Sequence, residues 1–345
     1  MGNWKNGELG DFVTLKRGFD LPQQKREDGQ VPIFSSSGIT GTHSTAMVKA
    51  PGVITGRYGT IGEVFYAAKD FWPLNTTLFV EDFHGNDAKF IYYFLKTLEW
   101  SKFTSASAVP GINRNTVHKE IVSLPDVETQ RRIASTLSMF DEKIKINTEI
   151  NDNLQQQAQA IYSSMFIDNP DPAWSHGHLS DLITVKYGKD HKKLADGIYP
   201  VYGSGGIMRY VERPLYNKES VLIPRKGTLN NVMYVNQPFW SVDTMFYTEM
   251  KLPNVAKFVY HFVKAKDLAS MNAGSAVPSM TTDILNAMEV VIPSASALKE
   301  FESLVAPMYE AMEANDVQSK ALSQMRDTLL PKLMSGEIDV SDIQL

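Results

Sequence analysis

The chain has no cysteine, which excludes disulfides and thiolate metal ligands and suits a reducing cytoplasm. It has no run approaching ~18 consecutive apolar residues, so no membrane span is expected. The start, Met1-Gly2-Asn3-Trp4-Lys5, lacks an apolar signal core. It also lacks a positive excess: 34 Lys and Arg face 39 Asp and Glu, for a net charge of −5. Overall charge therefore does not announce a nucleic-acid partner. No glycine-rich nucleotide loop and no nucleophile with its base can be found, which argues against an enzyme. Between Pro125 and Pro170 there is neither glycine nor proline.

What is present is a duplication. Arg57, Gly59 and Thr60 recur as Arg225, Gly227 and Thr228, a step of 168 residues. The same step carries Phe71-Trp72 to Phe239-Trp240, Ala88-Lys89-Phe90 to Ala256-Lys257-Phe258, and Ala108-Val109-Pro110 to Ala276-Val277-Pro278. A repeat of this length is a duplicated domain, since solenoid units run to roughly 20–50 residues. A chain of 345 residues with 43% hydrophobic content accommodates two such domains with real cores.

Each copy has two parts. The first, 4–125 and again 174–293, is rich in Gly, Pro, aromatic and β-branched residues and reads as many short strands. One helix is expected near Ala88–Leu95 and again near Ala256–Val263. The second part carries a stripe: Ile133, Leu137, Phe140, Ile144, Asn147, Asn151, Leu154, Ala158, Ile161 and Met165, spaced alternately by four and three. The copy reads Phe301, Val305, Met308, Met312, Asn315, Ser319, Leu322, Arg326, Leu329 and Leu333, with Pro307 expected to kink its first turns. The stripe from Ile133 to Met165 predicts about 48 Å of helix at ~1.5 Å per residue. That is too long for one compact module to cover, so the two helices are expected to pack antiparallel; the alternative is that each packs on its own module. These parts are also the acidic ones. Seven acidic side chains face four basic between Asp126 and Asp168, and nine face four from Ser294 onward. The remainder is mildly basic, which permits phosphate contact.

Three motifs have bland explanations. His176-Gly177-His178 resembles a metal pair, yet the repeat aligns both histidines with Asn6 and Glu8. Pro125-Asp126 with Asp141-Glu142-Lys143 loosely matches a nuclease pattern, but Asp141 and Lys143 fall within the predicted helix. Asp168-Asn169-Pro170-Asp171-Pro172 reads as a linker whose prolines stop the helix.

The polar loops are more informative. Arg57-Tyr58-Gly59-Thr60 and Arg225-Lys226-Gly227-Thr228 each place a cation in a Gly-containing turn with accessible backbone N–H groups, which suits a phosphate. Ser105-Ala106-Ser107-Ala108-Val109-Pro110 and Gly274-Ser275-Ala276-Val277-Pro278 are small-residue loops that allow close approach. Between copies the framework is kept while loop chemistry changes. Thr40-Gly41-Thr42-His43 stands opposite Met208-Arg209-Tyr210-Val211, and Ile112-Asn113-Arg114-Asn115 opposite Met280-Thr281-Thr282-Asp283. Two similar modules then read different things.

In these features the chain resembles the specificity subunit of Type I restriction–modification enzymes. The resemblance rests on Ser123-Leu124-Pro125 followed by Gln130-Arg131-Arg132-Ile133, on Arg225–Thr228, on Ser275–Pro278, and on the closing Leu329-Leu330-Pro331-Lys332-Leu333-Met334-Ser335-Gly336-Glu337-Ile338. The second helix departs from it, beginning Ala297-Leu298-Lys299-Glu300-Phe301 in place of the Gln-Arg-Arg-Ile pattern.

The resemblance implies an α+β fold. Two pseudo-symmetric target-recognition modules of mixed strands and few helices are joined by two long antiparallel coiled-coil helices. The expected domains are 1–125 and 169–293 for recognition, 126–168 for a central spacer helix, and 294–345 for a C-terminal spacer helix and tail. It further implies a non-catalytic reader of an asymmetric bipartite DNA target. The expected partners are double-stranded DNA, two modification subunits carrying S-adenosylmethionine, and restriction subunits using ATP and Mg, with no cofactor in this chain. Phosphates fall to Arg57, Tyr58, Thr60, Arg225, Lys226 and Thr228. Base edges fall to Ser36, His43, Ser107, Asn113, Arg114, Arg209, Tyr210, Ser275 and Thr281. Helix pairing and partner docking fall to Ile133, Leu137, Phe140, Ile144, Asn147, Leu154, Ile161, Phe301, Met308, Met312, Asn315, Leu322 and Leu329. The rivals are a scaffold or regulatory subunit that does not read DNA, and a nuclease using Asp126 and Asp141.

Overall fold

The computed structural model describes residues 4–104, 111–271, 279–340 and 343. It divides into two compact units, Met1–Asn147 with Val317–Leu345, and Thr148–Asp316. The central helix Val127–Ser163 and the C-terminal helix Ala295–Met334 each contribute to both.

Unit 1 is built on an antiparallel sheet ordered Thr14–Arg17, Thr77–Asp82, Gly52–Gly56, Val64–Ala67. Strand alternation divides its side chains between two cores. Val53, Leu78 and Val80 face the main core, while Ile54 and Phe79 face a smaller aromatic one with Phe34 and Phe71. A second sheet pairs Val31–Ser35 with Gly38–His43 antiparallel and with Trp72–Pro73 parallel. Lys5–Glu8 pairs with Ile121–Leu124. The helix Ala88–Thr97 is capped by Asp87, whose side chain accepts the Phe90 amide at 2.8 Å. It buries Phe90, Ile91, Tyr93 and Phe94 in the main core.

Unit 2 repeats this plan. Its main sheet runs Ile183–Tyr187, Met245–Met250, Ser220–Pro224, Met233–Val235. Its second sheet joins Asp196–Gly203 to Gly206–Val211 and Trp240–Ser241. The helix Ala256–Lys264 lies in the place of Ala88–Thr97.

Within each unit the two long helices run antiparallel. In unit 1, Ile133 and Leu137 share a core with Leu330, Leu333 and Met334. Asp141 pairs with Arg326 and also accepts the Tyr93 hydroxyl. Asn147 donates to Gln318 Oε1 at 2.9 Å and to Ser319 Oγ at 3.1 Å. In unit 2, Asn151 donates to Asp316 at 2.9 Å and accepts from Asn315 at 2.9 Å, while Tyr162 meets Phe301 edge-on. Every residue of both predicted stripes is at least partly buried. The apolar steps supply burial, and the amide groups of Asn147, Asn151 and Asn315 make polar contacts across the seam. Pro307 does not interrupt the C-terminal helix, which stays helical from Ala295 to Met334. Val305 and Tyr309 on either side of it are buried and hold the segment in place.

The departure at the second helix has a structural meaning. Gln130, 1% exposed, accepts the Asp87 amide at 2.9 Å and donates to Asn86 and to the Pro125 carbonyl. Leu298 occupies the equivalent position in unit 2, equally buried, and replaces that polar tie with apolar contact.

A second exchange alters pH response. Tyr93 of unit 1 corresponds to His261 of unit 2, which is fully buried among Tyr162, Tyr260 and Phe301. Its Nδ1 lies 2.8 Å from Gln159 Oε1, and its Nε2 lies 2.9 Å from the Tyr309 hydroxyl. Burial holds this imidazole down at about 4, against an ordinary 6.5. The folded form therefore resists a proton that the unfolded chain takes up. Stability present above pH 6.5 falls as the pH drops toward 4. The expected loss is about 2–3 kcal/mol over that window. Calorimetry on His261→Gln, which keeps polar contacts without titrating, should show a shallower acid decline than the unsubstituted chain. Parallel declines would show that His261 carries no such term.

Candidate nucleic-acid interface

The turn after each central strand is held the same way in both units. The Arg57 and Tyr58 amides both donate to the Thr76 carbonyl, at 2.8 and 3.2 Å. The Arg225 and Lys226 amides both donate to the Thr244 carbonyl, at 2.8 and 3.2 Å. The Arg57 carbonyl accepts the Ile112 amide at 3.0 Å, and the Arg225 carbonyl accepts the Met280 amide at 2.9 Å. These bonds correct the expectation of freely accessible turn amides, because the first two are occupied internally. Phosphate contact from this turn falls to side chains.

Those side chains project from a rigid base. The Arg57 guanidinium lies 4.5 Å from the Tyr58 ring centre, and Arg225 lies 5.3 Å from that of Tyr187. Arg225 also donates to the Asp243 carbonyl at 3.2 Å. Thr60, Lys226 and Thr228 are exposed.

Two further elements converge on each turn. One is a hairpin tip. Ser36 and Ser37 link Ser35 to Gly38, and Ser204 and Gly205 link Gly203 to Gly206. A Cβ at Gly59 would lie 3.1 Å from Ser36 Oγ, and one at Gly227 would lie 2.8 Å from Ser204 Oγ. The Ser204 carbonyl also accepts from Asn231 Nδ2 at 2.8 Å. The other element is a short helix. Asn113 caps Arg114–His118 through the Asn115 amide at 3.0 Å, and Thr281 caps Thr282–Asn286 through the Ile284 amide at 3.3 Å. Asn113 and Arg114 are exposed, and Thr281 is half-buried.

The structure thus gathers Ser36, Arg57, Tyr58, Thr60, Asn113 and Arg114 in unit 1, and Ser204, Arg225, Lys226, Thr228 and Thr281 in unit 2. Ser107 and Ser275 lie outside the described residues. His43 is 6% exposed, and its Nδ1 accepts the Glu27 amide at 3.0 Å with Trp72 edge-on against the ring. It is a buried residue packed within its sheet, not an exposed base-contact candidate. Arg209 is tied down, donating to Asp196 at 2.6 Å and to the Leu194 carbonyl at 3.0 Å. Tyr210 stands 42% exposed on the same strand. Sequence reasoning missed Ser204, although the repeat step from Ser36 points to it. It also missed Tyr187 and Asn231, whose roles depend on partners distant in sequence.

The helix residues fall into two groups. Ile133, Leu137, Phe140, Asn147 and Phe301 are buried. Ile144, Leu154, Ile161, Met308, Met312, Asn315, Leu322 and Leu329 are half-buried along the seam. Exposed apolar side chains lie elsewhere on the helices: Met139, Ile146, Val317 and Met325 in unit 1, and Ile150 and Leu304 in unit 2. The acidic pair of the nuclease rival is occupied structurally. Asp126 caps the central helix through the Thr129 amide at 2.9 Å, and Asp141 holds Arg326 and Tyr93. Among the described residues no cluster of three His, Asp or Glu could hold a metal ion. No described helix is long and apolar enough to cross a membrane.

The turn geometry makes a direct prediction. Gly227 sits at φ +87°, and an added Cβ would press on Ser204. Gly227→Ala should cost about 1–2 kcal/mol in thermal or denaturant unfolding. A neutral result would mean that the turn relaxes freely and is not a fixed platform.

With this geometry in hand, the comparisons with known proteins are consistent. A family model described as the Type I restriction modification DNA specificity domain matches residues 1–156 and again 173–303. The MjaIX specificity subunit of Methanocaldococcus jannaschii is 24% identical over 307 residues, covering 75% of this chain and 71% of that protein. A putative type I specificity subunit of Mycoplasma pneumoniae is 26% identical, with 96% of each chain covered. The crystal structure of a Type I S subunit from M. genitalium superposes with a TM-score of 0.65 at 20% identity, covering 96% of both chains. The chain belongs to the Type I restriction–modification DNA specificity family, whose members are the non-catalytic subunits that recognise DNA sequence.

Proposed function

We propose that each unit reads one half of an asymmetric, interrupted double-stranded DNA target. The two long helices set the spacing between half-sites and dock the modification subunits. One observation carries this reading. The same convergence of turn, hairpin tip and helix cap is built twice, on matching backbone bonds, with different polar side chains at its surface. A shared frame with unlike side chains suits two readers of unlike half-sites.

Phosphate contact falls to Arg57, Tyr58 and Thr60 in unit 1, and to Arg225, Lys226 and Thr228 in unit 2. The arginines sit against aromatic rings, which pre-orients their donors and lowers the entropy lost on binding. Base contact falls to Ser36, Asn113 and Arg114 in unit 1, and to Tyr210 and Thr281 in unit 2. Ser107 and Ser275 stay base-contact candidates from the sequence alone. Partner docking falls to the exposed apolar residues of the helices, because the seam residues already cover one another. Modification subunits would bring S-adenosylmethionine, and restriction subunits ATP and Mg, in the cytoplasm.

Methylation mapping tests the whole reading. The chain is co-expressed with the modification subunit of its own complex in a methylation-free host, and genomic N6-methyladenine is sequenced. An interrupted asymmetric motif is the expected result. Absence of any motif, with the modification subunit active, favours the scaffold alternative. At residue level, Arg225→Ala should weaken binding to all sequences alike and lower the salt dependence by about one counterion. Asn113→Ala or Arg114→Ala should change preference within one half-site only. An unchanged binding profile in all three variants would remove these assignments.

A further inference from the structure

In each unit the hairpin whose tip joins the site above carries a further feature along its strands. In unit 2, Val201 pairs with Arg209 while Tyr202 pairs with Ile207, so Met208 is an extra residue with no opposite number. In unit 1, Pro32 pairs with Thr42 while Phe34 pairs with Ile39, which leaves one extra residue within Thr40-Gly41. Thr40 and Met208 are separated by the repeat step of 168. Both copies thus kept a β-bulge at the same place. Bulges bend a strand and re-aim a side chain, and they gather beside functional surfaces.

The bulge is braced in both units, from opposite sides. In unit 1, Arg26 Nη1 donates to the Thr40 carbonyl at 3.4 Å. In unit 2, Arg209 Nη2 donates to the Leu194 carbonyl at 3.0 Å and to Asp196 at 2.6 Å. Leu194 is the repeat counterpart of Arg26, and Arg209 that of Gly41, next to Thr40, so each unit ties the same two segments with an arginine supplied from the opposite one. Both units join these segments, by different residues. Arg209 is therefore a positioning residue.

The bulged side chains themselves point outward. Met208 is 60% exposed, with Ile207 and Tyr210 exposed beside it, and Thr40 is exposed in unit 1. Met208 lies across Gly203, where an added Cβ would come within 2.5 Å of its sulfur. Met208, Ile207 and Tyr210 together make a small contiguous apolar patch, the kind of surface that marks an interaction site. The same hairpin ends at the tip that meets the Gly227 turn, with Lys226 exposed next to it. That continuity with cationic and hydroxyl groups favours DNA over an apolar protein surface.

We propose that Thr40 and Met208 contact base edges and set one position of preference in each half-site, an inference that rests on the DNA-reading function above. A two-stranded ribbon fits the major groove of B-DNA, which is about 12 Å wide. Met208 offers no donor, and its thioether packs on a thymine methyl. Thr40 offers a hydroxyl that both donates and accepts, with a small methyl beside it. The two half-sites are then read by opposite chemistries at one structural position.

The test is methylome mapping of Met208→Ala, Met208→Thr and Thr40→Ala in the full complex. Each Met208 variant should relax a single base-pair position of one half-site by about tenfold. Thr40→Ala should do so in the other half-site alone. If all three variants keep the unsubstituted motif at full efficiency, the hairpin assignment fails while the two-module reading stands. Uniform loss at every site, or weakened complex assembly with an unchanged motif, also overturns it, by showing a structural or protein-docking role. If the unsubstituted chain yields no motif beside an active partner, both readings fall together.

Discussion

The core of unit 1 is closed by residues that lie some two hundred positions apart in the chain. Ile133, Ala134 and Leu137 from the central helix meet Leu330, Leu333 and Met334 from the C-terminal helix, and Val340 packs beneath them. Fully burying one such side chain contributes about 1.5–3 kcal/mol, so the group outweighs any single polar tie. The Asp141–Arg326 pair, with the Tyr93 hydroxyl, adds direction to this contact and little net stability. Neither long helix has an apolar face broad enough to stand alone. Each becomes stable because the other covers its stripe.

From that base the reading surface follows by short steps. The sheet behind the Arg57 turn is buried on both faces, so its strands cannot shift register without inverting a core. The Thr76 carbonyl then fixes the turn, and the Thr244 carbonyl does the same in unit 2. The two units carry unlike side chains on the same backbone bonds at this turn. The Gln130-to-Leu298 exchange shows the same tolerance inside the core, where a hydrogen-bonded tie and an apolar plug serve one position.

Much of this was legible in the sequence. The repeat step located both turns, and the alternation of three and four located both helix seams, down to the asparagines at their centre. Pro307 was misleading because a proline removes one amide bond, while burial of Val305 and Tyr309 around it keeps the helix whole. His43 and Arg209 look like free polar groups in a loop-rich stretch. What turns them inward is the pairing of strands that are not adjacent in sequence: Trp72 against one, and Asp196 with the Leu194 carbonyl against the other. The bulge at Thr40 and Met208 was invisible for the same reason. Register is a property of two strands together, and neither strand's composition records it.

The discontinuity of unit 1 also bears on how the chain is made. Unit 2 is one unbroken stretch, Thr148–Asp316, whereas unit 1 needs residues from Val317 onward. On the ribosome the segment translated first is therefore the last to close. It emerges with Ile133 and Leu137 uncovered and waits for Leu330 and Leu333. A chain released before Val317 would hold every residue of one reader and an open, apolar face on the other. Exposed apolar surface of that kind is aggregation-prone, so the first module reaches its folded form only after the second has been made.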